Sequence, residues 1–297
     1  MKKYVYWALI ALFSIIFIVS AVYVAEYLID SHKYKDQLSN LQAMHTTPQT
    51  RPSVSLREPT VNKDPLSTTT PITTPTDPVV NPTDPVVNPT DPVVNPSNPS
   101  VPTKPVMLEE LVSLYKLNSD LVGYIYIEGT NVNNPVLQHK EEKDFYLYRD
   151  IFKDQNRHGS VYVRESCDVF KPTDVITIYG HNMADGTMFA HIHKYKKKDF
   201  FQSHPIVYFD TLYERHTYQV LCIFRTSATY GQGFPFHMYD DFADEAEFKE
   251  FVKGVRDLAI YDSGISVQYG DKFICLSTCE EWPIPDGRLV LVAVRID

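Results

Sequence analysis

Fifteen of the chain's 21 prolines lie between Pro48 and Pro105, and this clustering divides the 297 residues into parts that must fold differently. The motif Thr-Asp-Pro-Val-Val-Asn-Pro occurs three times in succession over residues 76–96. Proline donates no backbone hydrogen bond and favours extended geometry in the residue before it, so this period is not a coiled-coil heptad. We predict that residues 46–105 are largely polyproline II and act as a spacer; drifting low-complexity sequence of no fixed length is a compatible explanation.

A run without charges over residues 4–25 predicts a membrane-spanning helix. The run is rich in Ile, Leu, Val, Phe and Ala, and a helix of that length crosses a hydrocarbon core of about 30 Å. Lys2 and Lys3 precede it, which places the N-terminus in the cytoplasm and the rest of the chain outside the cell. A cleaved signal peptide is the alternative. The run is longer than a usual signal core, and Glu26 follows it instead of a small-residue cleavage site, so we predict an uncleaved anchor.

Composition supports a division into three regions. We assign residues 1–30 to a cytoplasmic tip and transmembrane anchor, 31–105 to an extracellular Pro/Thr-rich linker, and 106–297 to a folded domain. The chain is 43% hydrophobic and 13% aromatic, which is enough apolar material for a core. Its 28 Lys+Arg against 37 Asp+Glu give a net charge of −9, which argues against a nucleic-acid partner. Four cysteines without a CxxC pair exclude a disulfide scaffold and an ordinary zinc ribbon.

The folded region has the pattern of a mainly β domain with two helices. Apolar residues at helical spacing predict a short helix over 107–118 and a second helix over 242–259. Eight short segments of β-forming residues surround the second helix, six before it and two after it: 124–127, 134–138, 159–163, 174–180, 205–210, 216–226, 272–278 and 289–296. Short strands separated by turn residues indicate a β-barrel or a β-sandwich.

Two local patterns suggest chemistry at the ends of predicted strands. Tyr-Gly-His at 179–181 presents His181 in a turn, and Leu-Ser-Thr-Cys at 276–279 ends a strand in Cys279, with Arg288 opening the last strand. A thiol nucleophile needs an imidazole to control its ionisation, and a cation or amide donors to stabilise the oxyanion of a tetrahedral intermediate. These three side chains supply those parts, although their spacing does not show that they meet. Cys279 as an inert core residue and Arg288 as a rim ion pair are the simpler alternatives.

Other candidate residues have structural explanations. Cysteine is among the most buried residue types, so Cys167, Cys222 and Cys275 are expected in the core. His191 and His193 have the spacing to share one face of a strand, but no acid-rich third ligand accompanies them. We therefore predict no metal site there.

At these residues the sequence resembles the sortase family, and class B most. Leu-Ser-Thr-Cys at 276–279 fits the L-x-T-C nucleophile strand, Tyr-Gly-His at 179–181 fits the histidine turn, and Arg288 matches the arginine of the following strand. The resemblance runs over about 108–297 and includes the opening segment 117–125. It implies an eight-stranded sortase-type β-barrel with an N-terminal helix and a helix between strands six and seven.

The resemblance also implies a function. Such enzymes are membrane-anchored transpeptidases that attach surface proteins to the cell wall of Gram-positive bacteria. The cysteine cleaves a C-terminal sorting motif and forms a thioester, which an amine of the cell-wall precursor then resolves. Carried onto this chain, Cys279 is the nucleophile, His181 the acid/base, and Arg288 the oxyanion-stabilising and substrate-positioning group. The expected partners are sorting-motif proteins, the peptidoglycan precursor and membrane lipid around the N-terminal helix; no cofactor is expected.

By the same resemblance, Leu147, Tyr179, Ser277 and the backbone amide of Glu280 match positions that line the class B substrate groove. Two residues depart from the family pattern. Lys143 stands where class B often has Asn, which leaves the sorting motif open, and Cys275 replaces a common Thr, which we expect to change packing only.

Two alternatives use the same sequence features. An extracellular thiol peptidase would employ the same three residues with water as the acceptor. A stalked adhesin or binding domain would leave Cys279 inert.

Overall fold

The computed structural model describes residues 2–45, 51, 54–59, 105–229, 231–280 and 284–297. Four α-helices are α1 (Lys2–Met44), α2 (Glu109–Leu117), α3 (Lys198–Ser203) and α4 (Glu245–Asp257), and two 3-10 helices span Ala190–Lys196 and Phe236–Met238. The strands are β1 (Leu121–Tyr126), β2 (Asn133–Leu137), β3 (Val161–Val163), β4 (Val175–Tyr179), β5 (Ile206–Thr211), β6 (Arg215–Ser227), β7 (Ala259–Asp262), β8 (Phe273–Cys279) and β9 (Gly287–Arg295).

Eight of these strands close into a barrel in the order β5-β1-β2-β3-β4-β8-β9-β6, and the pairing of β5 with β6 completes the ring. The pairs β2–β3 and β4–β8 are parallel, and the other pairs are antiparallel. The predicted mainly β barrel is therefore confirmed over the sandwich. The ninth strand, β7, pairs with β6 and was not predicted, because the predicted second helix ran on to residue 259.

Alternation along the strands gives the barrel wall two apolar faces. On β8, Ile274 and Leu276 belong to the cluster that fills the barrel, whereas Phe273 and Cys275 face outward into a second cluster. The helix α4 covers that outer cluster with an apolar face that includes Phe251. This helix begins later than the predicted residue 242, because the Asp244 side chain accepts hydrogen bonds from the first-turn amides and so caps the helix.

The first helix is longer than the predicted membrane span. The predicted linker began at residue 31, but the structure continues α1 through Met44. Beyond the apolar run, the buried positions of α1 recur at intervals of three and four residues: Ser31, Tyr34, Leu38 and Leu41. This helical spacing buries one stripe of α1 against the barrel domain, which explains why the helix persists past the span.

The short segment after α1 also contacts the barrel. Arg51 donates two hydrogen bonds to the Asp210 carboxylate, at 2.8 and 2.6 Å, and its guanidinium lies 4.2 Å from the centre of the Tyr208 ring. Arg57 makes a similar bidentate contact with Asp271, at 2.6 and 2.9 Å. The described residues up to 59 form one compact unit with the described residues of 106–297. The repeats, and with them the predicted spacer, lie outside the described residues; among the described residues, α1 and the short segment after it contact the barrel directly.

We expect Arg57→Ala to lower the free energy of unfolding by about 1–3 kcal/mol, because it leaves the mostly buried Asp271 carboxylate without its guanidinium partner. The measurement is urea unfolding at neutral pH. The matched control is Lys249→Ala on α4, whose ion pair with Glu245 is exposed and should contribute less than about 0.5 kcal/mol. Equal effects of the two substitutions would contradict the docking of this segment.

Candidate active site

Cys279 differs from the other three cysteines in its exposure. It is the last residue of β8 and is half-buried, whereas Cys167, Cys222 and Cys275 are fully buried, as predicted. Burial raises the pKa of each of these three thiols, that of Cys167 to about 12. Cys279 is therefore the one cysteine that a substrate can reach, and it lies on the outer face of the barrel wall, in phase with Cys275.

Arg288 is the direct cross-strand neighbour of Cys279 in the β8–β9 ladder. Opposed residues in a ladder project from the same face of the sheet, so the guanidinium and the thiol share one side of the wall. The Nη1 atom of Arg288 donates to the carbonyls of Gly287 and Asp286, at 3.0 and 3.3 Å. No ion pair joins Arg288 to a carboxylate among the described residues, so the rim ion-pair alternative finds no partner there.

His181 follows β4 and is oriented by a backbone carbonyl. Its Nε2 atom lies 2.7 Å from the carbonyl oxygen of Leu147, which can only accept a hydrogen bond, so Nε2 donates and Nδ1 holds the lone pair of the neutral ring. The ring of Tyr148 lies 5.5 Å away between centroids. Burial lowers the pKa of His181; the Leu147 carbonyl opposes that shift, and His158 and Arg288 add to it. The ring is therefore biased towards its neutral form.

These three side chains line one cavity of about 220 Å³. Three further residues that the sequence nominated, Leu147, Tyr179 and Ser277, also line it. Gly180 permits this arrangement, because a Cβ atom there would lie 2.6 Å from the Phe189 ring. Other lining residues were not singled out from the sequence as groove residues: Asp144, Tyr162, Ala228, Phe236, His237 and Thr278, together with Lys143. Thr278 belongs to the Leu-Ser-Thr-Cys motif, and Lys143 was noted as a departure from the family pattern. The other five belong to no motif, so local sequence carried no signal for them.

The structure corrects the expectation for Glu280. Its backbone amide donates a 2.9 Å hydrogen bond to the Gly287 carbonyl, so this amide is not free to bind a substrate. Its side chain is buried and bonds to Lys196 at 2.5 Å and to Arg225 at 2.7 Å. Glu280 does not line the cavity. The strand ladder continues one residue past Cys279 and uses the amide, and the carboxylate ties Glu280 to Lys196 and Arg225.

This buried carboxylate gives a pH-dependent prediction. Burial raises the pKa of Glu280, but hydrogen bonds from Arg225 and Lys196 outweigh it, and the net shift is downward. A carboxyl group whose pKa is lowered by folding stabilises the folded state at pH values above its unfolded pKa of about 4.3. This stabilisation is lost as the pH falls through the folded-state pKa. We expect Glu280→Gln to be less stable than the original chain by about 1–3 kcal/mol at pH 7, with the gap narrowing below about pH 4.

The measurement is urea unfolding from pH 7 to pH 3. Glu245→Gln is the control, because the Glu245–Lys249 pair is exposed on α4 and should contribute almost nothing. A gap for Glu280→Gln that stays constant across this range would show that its carboxylate is not the titrating group.

The two histidines considered for a metal both make protein contacts. His193 Nε2 lies 3.1 Å from the Cys279 carbonyl oxygen and donates to it. His191 Nδ1 accepts a hydrogen bond from the Asn131 amide at 2.8 Å. His193 therefore helps to fix the backbone of Cys279, a role that the sequence pattern did not indicate.

The cavity holds the components of nucleophilic acyl transfer. A reachable thiol, an imidazole whose Nδ1 atom holds the lone pair, and a guanidinium that pairs with no carboxylate among the described residues share its wall. Ser277 Oγ and Thr278 Oγ1 are buried hydroxyls of the same wall without a hydrogen-bond partner among the described residues. Such an arrangement can attack a carbonyl carbon, stabilise the oxyanion that forms and protonate the leaving group.

Comparison with known proteins gives a consistent result. Residues 125–296, which include Cys279, His181 and Arg288, match the family model of the sortase domain. The chain is 31% identical to Sortase B of Listeria monocytogenes over 185 residues, which cover 62% of this chain and 72% of that protein. It is similar to the Staphylococcus aureus sortase B–substrate complex, with a TM-score of 0.58 and 29% identity over 65% of this chain and 87% of that one. Sortase B from B. anthracis in complex with AAEK1 shares the fold, with a TM-score of 0.63 at 21% identity over 91% and 99% of the two chains.

Proposed function

Since this chain belongs to the sortase family and is a class B transpeptidase, we propose that it attaches surface proteins to the cell wall from a position in the membrane. It cleaves a C-terminal sorting motif and transfers the new carboxyl end to an amine of the cell-wall precursor. The observation that supports this proposal is the single cavity lined by Cys279, His181 and Arg288. The adhesin alternative is excluded by the family assignment.

The proposed reaction has two halves. In the first, the Cys279 thiol gives its proton to the Nδ1 atom of His181 as the sulfur attacks the carbonyl carbon of the scissile peptide bond, and the Arg288 guanidinium stabilises the resulting oxyanion. The C–N bond breaks, His181 supplies the proton to the leaving amine, and a thioester remains on Cys279. In the second half, the acceptor amine attacks the thioester and gives up its proton to the imidazole. The C–S bond then breaks, which forms the new amide, and His181 passes this proton to the sulfur and restores the thiol.

The proposed substrate contacts are Leu147, Tyr179 and Ser277, because each lines the cavity beside the catalytic group. Lys143 lines the same cavity and is exposed, so it adds a positive charge where the motif would bind. The Staphylococcus aureus relative has been solved as a substrate complex, and another solved sortase B is complexed with triglycine. Both support a peptide substrate and an amine acceptor for this chain.

The test separates transfer from hydrolysis, because a thiol peptidase would use the same residues with water. The full chain in detergent is incubated with a library of sorting-motif peptides, with and without triglycine. We expect peptide–triglycine conjugates with triglycine and only slow hydrolysis without it. Equal hydrolysis in both samples, without conjugate, would support the peptidase.

The membrane position is proposed from α1. Residues 3–44 form one helix that is long and apolar enough to cross a membrane, and its apolar part is exposed in the structure. We expect the full chain to stay in the membrane fraction after a carbonate wash, with the barrel open to external protease. Recovery of a mature N-terminus near residue 26 would instead identify residues 4–25 as a cleaved signal.

A further inference from the structure

The polar part of α1 packs on two loops that meet at the candidate active site. The first, here called the β2–β3 loop, comprises residues 138–160, and the second, the histidine loop, comprises residues 180–189. Three residues on successive turns of α1, Ser31, Tyr34 and Gln37, contact these loops. None of the three belongs to the cavity lining described above.

The contacts with the histidine loop involve a carboxylate and a thioether. The Ser31 hydroxyl donates to the Asp185 carboxylate at 2.5 Å, and the Tyr34 hydroxyl donates to the Met188 sulfur at 2.8 Å. Burial raises the pKa of Asp185, but hydrogen bonds from Ser31, Thr187 and His158 outweigh it and hold the pKa well below its usual range. The carboxylate is therefore ionised at neutral pH, and its bond from Ser31 is charge-assisted.

The contacts with the β2–β3 loop come from the same face of α1. The Tyr34 ring stacks on the His158 ring, with centroids 4.1 Å apart and planes 4° from parallel. Gln37 donates to the Asp150 carboxylate at 3.2 Å. His158 Nε2 in turn lies 3.0 Å from the Asp185 carboxylate, so the two loops are joined to each other beneath α1.

Both loops hold His181 directly. The β2–β3 loop supplies the Leu147 carbonyl that fixes Nε2 and the Tyr148 ring beside the imidazole. The histidine loop closes on itself where the Phe189 amide donates to the His181 carbonyl at 2.9 Å. A shift of either loop would therefore turn the imidazole relative to Cys279.

We propose that Ser31 and Tyr34 are positioning residues for His181, through which the docking of the membrane helix sets the geometry of the active site. The inference rests on the proposed function, in which His181 moves the proton. A merely structural role would lower stability alone, whereas loosening the two loops should change the position and exposure of the imidazole before it changes the fold. The active site and the anchor helix are then one unit, and removing α1 would leave the two loops without the contacts from Ser31 and Tyr34.

The effect should appear in the rate of turnover more than in substrate affinity. A displacement of about 1 Å in a catalytic group can cost roughly 10²-fold in rate, and loosened loops sample such displacements only part of the time. We expect a fall in kcat of roughly tenfold, with KM changed less than about twofold. The charged or titratable groups around His181 that bear on its pH dependence are His158, Arg288, Cys279, Asp144, Lys143 and His237.

The experiment compares Ser31→Ala and Tyr34→Ala with the original sequence, each as the full chain in detergent micelles. Ser39→Ala is the matched control, because it makes the same change on an exposed position of α1. Tyr34→Phe keeps the stacked ring and should recover most of the activity. Transfer to triglycine gives kcat and KM from pH 5 to pH 9, and histidine NMR follows the titration of His181 in the same samples.

We expect the two alanine variants to lower kcat and to move the His181 titration upward towards its usual range, because a more exposed ring is desolvated less. Ser39→Ala should match the original sequence in every measurement. Unchanged His181 titration and kcat in Ser31→Ala and Tyr34→Ala would overturn the inference. If the original chain transfers nothing, the proposed function fails, but the NMR titration still tests whether Ser31 and Tyr34 position His181.

Discussion

Replacing Cys279 with alanine is expected to abolish both peptide cleavage and amine transfer, with a loss of at least about 10⁴-fold in kcat. No other cysteine can take over, because the remaining three are fully buried and burial raises their pKa values. The barrel should be unaffected, since Cys279 is half-buried at a strand end and a shorter side chain leaves little empty volume there. Steady-state assay of a cleavable sorting peptide measures the loss, and circular dichroism checks the fold.

The matched control is Cys275→Ala on the same strand and the same face. Cys275 packs in the outer apolar cluster, so its substitution should cost about 1–2 kcal/mol in the free energy of unfolding but leave turnover intact. Cys167→Ala and Cys222→Ala should behave in the same way. Loss of turnover in folded Cys275→Ala, with turnover retained in Cys279→Ala, would reverse the assignment of the nucleophile.

The second large effect is expected at Arg288. Removing one oxyanion donor typically costs about 10²–10³ in rate, and the Glu280 amide cannot share this role because it is already bonded to Gly287. Arg288→Ala should therefore lose nearly all activity. Arg288→Lys should lose a large part of kcat, because an ammonium group lacks the fixed planar donors of a guanidinium.

Arg295 on the same strand provides the comparison for Arg288. Its Nε atom bonds to the Asp297 carboxylate at 2.7 Å, and it lies at the far end of β9, away from the cavity. Arg295→Ala should change kcat/KM less than about threefold, within the range of a surface substitution. Near-normal kcat/KM in folded Arg288→Ala would remove this residue from the mechanism, and the oxyanion would then need another donor.

Regular alternation and helical spacing made most of the barrel predictable. The eight closing strands follow runs of β-forming residues bounded by turns, and α4 follows the spacing of Phe248, Phe251 and Val255. The four-residue strand β7 was missed because its short sequence continues the apolar pattern of the helix before it. A strand this short is defined by its pairing with β6, which only the folded chain provides.

The candidate site was predictable where motifs mark strand ends and was not where loops converge. Cys279 and Arg288 are neighbours because two adjacent strands bring them together, and the sequence marked both. The Leu147 carbonyl that orients His181 comes from 34 residues away, and a backbone carbonyl has no sequence signature. The sequence could not show that the Glu280 amide is already hydrogen-bonded to Gly287, because the partner of this amide depends on the register of β8 with β9.

The docked half of α1 was missed for a different reason. Charged and polar residues follow the apolar run, so residues 31–44 had the composition of a linker. The stripe of Tyr34, Leu38 and Leu41 has helical spacing, but its partner surface on the barrel exists only after folding.

The most direct test of the mechanism is to trap the acyl-enzyme. The full chain is mixed with a sorting peptide in the absence of triglycine, quenched in acid and digested, and the mass of each cysteine-containing peptide is measured. We predict the acyl group of the substrate on Cys279 alone, its loss when triglycine is added before quenching, and its absence in Cys279→Ala. Transfer to triglycine without any acyl group on Cys279, or an acyl group on another cysteine, would contradict the account.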